Sequence, residues 1–126
     1  MEATSALPVA EQLGDPREWG ERGERLIETT HVYADDDPVR IMVRKRGRRY
    51  GLDDRGEAVA KARRIGARSD WLEVAEHPVA LAGFNVNRRG VVFVDVVEGR
   101  DLVQLVQRLA ACAHAVHAEL VESAAS

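Results

Sequence analysis

The chain is poor in aromatic residues, cysteine and lysine, and it has no long apolar run. Its 126 residues include two each of Trp, Tyr and Phe, one cysteine and two lysines. A lone thiol, Cys112, cannot close an internal disulfide, so a reducing, cytoplasmic setting is expected. Apolar stretches such as Val91 to Val94 are strand-sized and far short of the ~20 residues that cross a bilayer, so no membrane association is expected. The opening Met1-Glu2 has neither a cationic nor an apolar signal-peptide region, and no secretory signal is expected. Scarce aromatics leave few side chains to stack on bases or grip a cofactor.

What is present is ordinary apolar content and abundant charge. Apolar residues make up 45% of the chain, enough for one core in a domain of this length. The net charge of −3 hides a strong segregation. Residues 1–38 hold ten acids and three bases, residues 39–68 eleven bases and three acids, and residues 69–126 eight acids and four bases.

Patterning predicts an α+β fold, with residues 15–122 as one domain between a flexible leader (1–14) and a flexible tail (123–126). Asp15-Pro16-Arg17-Glu18 has the form of a capping box with proline in the first turn, predicting a helix over 15–30. Val39, Ile41 and Val43 alternate with Arg40, Met42 and Arg44, the signature of a half-buried strand. A glycine turn returns the chain through Tyr50 and Leu52. A helix follows over 55–66 with Ala58, Ala62 and Ile65 as its apolar face, then a short element that Pro78 should interrupt. A second hairpin spans 84–97, and Asp101 caps a long final helix with Leu105, Leu109, Val116 and Leu120 on one stripe. The expected product is a mostly antiparallel sheet of two hairpins with helices on one face.

No catalytic constellation emerges. There is no Gly-x-Ser-x-Gly and no phosphate-cradling glycine loop after a strand, so an enzyme is not expected. Cys112 and His117 lie about 140° apart around a helix, and His114 falls toward solvent, so no metal site or cofactor is expected there. Asp35-Asp36-Asp37 lacks the ligand order of a calcium loop and reads as a solvated turn. Asp53 and Asp54 read as residues that cap the next helix and stay ionised.

The basic block is the candidate functional surface. Arg40, Arg44, Arg46 and Arg48 belong to the predicted hairpin, while Lys61, Arg64 and Arg68 fall within a sector of about 60° on the following helix. Packed together they would form one positive surface for an acidic protein partner, for a second copy of the chain, or for nucleic acid. The leading expectation is a non-enzymatic binding or adaptor protein that acts on a protein partner as a homodimer, through hairpin edges and the long terminal helix. The alternative is a nucleic-acid-binding regulator that uses residues 39–68.

The element order over residues 15–121 resembles the type III secretion chaperone-like fold, whose members are small acidic dimers that bind partner proteins. The resemblance implies a chaperone-like role for this chain. The stretch Tyr50-Gly51-Leu52-Asp53-Asp54-Arg55-Gly56 is similar to the Leu-x-Asp-x-Gly turn of a bacterial family of unknown function. No functional residues carry over from either.

Overall fold

The computed structural model describes residues 7–20, 23–97 and 101–125. Its elements are α1 (Val9–Leu13), β1 (Glu24–Val32), β2 (Pro38–Arg46), β3 (Arg49–Asp53), α2 (Glu57–Arg64), α3 (Trp71–Ala82), β4 (Asn85–Val86), β5 (Val92–Val97) and α4 (Leu102–Ala125). The strands form one antiparallel sheet in the order β1-β2-β3-β5-β4. This is an α+β fold. Among the described residues no helix is long and apolar enough to cross a membrane.

The core lies between one face of the sheet and the helices. Ile27, Ile41, Val43, Leu52 and Val92 project from the strands onto Val106, Leu109, Val116 and Leu120 of α4, and all are buried. Alternation along the strands therefore leaves the other sheet face open. It carries Glu24, Leu26 and Glu28 on β1, and Arg40, Met42, Arg44 and Arg46 on β2. Arg49, Gly51 and Asp53 follow on β3, and Phe93, Asp95 and Val97 on β5.

Four expectations are corrected here. The helix expected over 15–30 is a single 3-10 turn at Pro16–Glu18 followed by β1. Asp15 does cap that turn, accepting from the Arg17 N–H at 2.9 Å. Gly20 and Gly23 then take positive φ, and Ile27, Thr29, Thr30 and Val32 are β-branched, which favours a strand. Second, within the expected leader, α1 buries Val9 and Leu13, and the Trp19 indole N–H donates to the Leu13 carbonyl at 2.7 Å. Residues 1–6 lie outside the described residues. Third, α3 runs through Pro78, which is buried against the core. Fourth, α4 continues to Ala125, into the segment expected as a flexible tail.

On α2 the buried face is Ala58, Val59 and Ala62, whereas Ile65 is 58% exposed. Val59 packs on the β4–β5 turn, where a Cβ on Gly90 would come within 2.9 Å of it. The turn into α2 is drawn inward by Asp54, which is fully buried. Its carboxylate accepts N–H groups from Gly56 (2.8 Å), Val92 (2.9 Å) and Ala58 (3.4 Å), tying the α2 entrance to β5.

Candidate binding face

The seven basic residues singled out in the sequence do not form one surface. β2 is nine residues long, so its ends lie about 26 Å apart. Lys61 sits near the start of β2, where its ammonium bridges Asp35 (2.5 Å) and Asp37 (3.0 Å) of the β1–β2 turn. Those hydrogen bonds hold both carboxyls below their usual range. The acidic loop expected to be solvated is thus an anchor for α2. Arg64 ends α2, and Arg68, expected on the same helix, lies in the turn beyond it, where it pairs with Asp70 at 3.3 Å.

The hairpin arginines divide again. Arg40 pairs with Glu28 (3.1 Å) and Asp37 (3.3 Å). Arg44 is held between Glu24 (3.1 Å) and Asp53. Glu24 and Glu28, expected on an acidic helix, stand on β1 directly across from Arg44 and Arg40. Half of the open face is therefore neutralised by its own cross-strand pairs. Arg48 is exposed at the hairpin turn.

Beyond those pairs lies the candidate site. Arg46 and Arg49 face each other at the last register position of β2 and β3, and both are exposed. Among the described residues neither is ion-paired. Beside them the open face sinks into a depression of about 380 Å³, floored by Gly51 and walled by Arg44, Phe93 and Asp95. Gly51 makes the hollow, since a Cβ there would lie 3.0 Å from a carboxylate oxygen of Asp95.

The two edges of the sheet differ. At β1 the Gln12 side chain behaves like a neighbouring strand, donating to the Glu28 carbonyl (2.7 Å) and accepting from the Glu28 N–H (2.8 Å). That blocks further pairing. At the other edge β4 has only two residues, and it pairs with β5 at Val92 and Phe93 alone. Among the described residues no strand covers β5 from Val94 to Val97, and Val97 is 53% exposed.

Arg49 was absent from the sequence-derived set, as were Gly51 and the β5 edge. Arg49 could have been found by counting back from Tyr50, since alternation puts it opposite the buried face. The terminal-helix residues behave as packing groups. Burial raises the Cys112 thiol to about 11. His117 is buried, with Nδ1 3.0 Å from the Ala58 carbonyl and its ring edge-on to Tyr33. Among the described residues no group of three or more His, Cys, Asp and Glu could hold a metal ion.

Fold and site together define an α+β protein with a helix-covered sheet face and an arginine-rimmed open one. No protein-family profile matches the chain, and neither does any curated protein or solved structure.

Proposed function

We propose that the chain is a non-enzymatic binding protein whose open sheet face takes an extended, acidic segment of a partner protein. The observation that carries this reading is the Arg46–Arg49 pair. Like charges directly opposite on neighbouring strands repel, and a carboxylate between them would reverse the sign of that interaction. The uncovered stretch of β5 lies one strand away, because Arg49 pairs with Val97. A segment adding to β5 as a further strand gains backbone hydrogen bonds there, and its alternate acidic side chains lean toward the arginines.

Nucleic acid is the second reading, favoured by Lys45, Arg46, Arg48 and Arg49 crowding one turn. Protein is preferred because Phe93 is the single aromatic on the open face and gives no run of stacking platforms.

Fluorescence anisotropy with a labelled glutamate-rich peptide, competed by single-stranded or duplex DNA, separates the two. The peptide is expected to bind with affinity that falls as salt rises, and the Arg46→Glu/Arg49→Glu variant to lose about tenfold or more. Peptide binding indifferent to the charge reversal would overturn the proposal. DNA binding tighter than peptide binding would establish the second reading.

A further inference from the structure

The helix layer carries a second surface, unrelated to the sheet face, and we propose that it pairs two copies of this chain. Between α3 and α4 runs a shallow apolar groove of about 500 Å³, bordered by Leu81 and Ala82 of α3 and by Ala111 and Ala115 of α4. Leu81 stands on its rim with 77% of its surface in water, the most exposed of the large apolar side chains in the described residues. Arg108 closes one end of the groove and Glu119 the other.

The occupant follows from the placement of those charges. Arg108, Ala111, Ala115 and Glu119 lie within about 80° around α4, so they form one straight stripe on its outer surface. Among the described residues Arg108 has no carboxylate partner and Glu119 no cation. The Arg108 guanidinium is steadied by the Ala82 carbonyl (3.2 Å) and lies over the Phe84 ring (5.5 Å), so it is held at the groove mouth.

Reversing the stripe about a two-fold axis that passes between Ala111 and Ala115 turns it into its own complement. Arg108 then meets the partner's Glu119, and Glu119 meets the partner's Arg108. Ala111 and Ala115 are small enough for the two helices to approach closely between these pairs. Leu81 of each copy is covered by the other copy's α4. A patch that matches itself under a two-fold axis is what an isologous dimer requires. A foreign partner would have no reason to repeat the same charge order in reverse. The sheet faces stay open on the outside of such a dimer, so this inference does not depend on the proposed function.

Sedimentation equilibrium of the full chain tests it. The wild type is expected to be a dimer. Arg108→Glu and Glu119→Arg each place like charges across the axis, and each is expected to weaken self-association by about tenfold. Mixing the two variants restores complementary pairs and is expected to recover a heterodimer. Ala111→Arg, an exposed helix position, should give a folded monomer whose circular dichroism matches wild type. A wild-type monomer at the highest concentration the protein tolerates would overturn the proposal. So would a dimer that none of the three substitutions weakens.

Discussion

At the scale of single residues, Asp54 ties the α2 entrance to β5. Three backbone N–H groups, from the α2 entrance and from β5, end on its carboxylate in a fully buried setting. Asp54→Ala strands all three, and unsatisfied buried donors are costly. The substitution is expected to lower the unfolding free energy by about 3 kcal/mol, read as a shift in urea midpoint at constant slope. The pH dependence has a definite sign. Burial raises the Asp54 carboxyl from 3.8 to about 6 in the folded protein, although its three N–H partners pull the other way. The folded state therefore holds this proton more tightly than the unfolded chain. That contribution is complete below the unfolded value of 3.8 and is lost as pH rises toward about 6. The stability gap between wild type and Asp54→Ala should be wider at a pH of about 4 than at neutral pH. A gap that widens toward neutral pH would contradict this account of the site. The sequence marks Asp54 as a capping residue, but the N-cap of α2 is Gly56, and Asp54 reaches the Ala58 N–H from two residues further back. Its bond to Val92, 38 residues away, leaves no local trace.

Among the elements, β1 separates what local pattern specifies from what packing decides. The Asp15-Pro16 start is real, but the helix it begins ends within one turn. Gly20 and Gly23 adopt left-handed φ, and Gly23 lies against β2, where its carbonyl accepts from Lys45 at 2.7 Å. Leu26 and Ile27, which as helix residues would share one buried face, fall on opposite sides of a strand, with Leu26 out and Ile27 in. By contrast β2, β3 and α4 were legible from the sequence alone. Their apolar residues repeat at one period, Gly47 lies in the turn from β2 to β3, and Asp101 caps the start of α4. The edge of β1 needs protection that its own residues do not supply, and Gln12 of α1 provides it. Gln12→Ala removes two hydrogen bonds to the Glu28 backbone. It is expected to cost about 1–2 kcal/mol and to speed aggregation of partly destabilised protein, followed by light scattering in moderate urea. An unchanged midpoint together with unchanged scattering would show that β1 is protected in some other way.

For the molecule as a whole, the segregation of charge along the chain becomes pairing in space. The acidic first segment and the basic second one meet across β1 and β2 and at the Lys61 bridge, so Arg40, Arg44 and Lys61 of the positive block are neutralised inside the fold. The sequence displayed the block but could not divide it, because the division depends on which side of the sheet each residue occupies. Arg46 and Arg49 stand on the open face at the far end of β2, whereas Lys61 and Arg64 stand in the helix layer near its start. The sheet separates them, and about 26 Å lies between the two ends of β2. That distance exceeds two Debye lengths at physiological ionic strength, so charges at one end act weakly on a ligand at the other. Arg64→Glu is therefore expected to leave the affinity for an acidic peptide within about twofold of wild type. Arg49→Glu, with the same change in net charge, is expected to weaken it by about tenfold. Titrating the two variants side by side at low and at physiological salt checks this directly. Equal losses in both would mean that overall charge governs binding and that the arrangement of the open face does not.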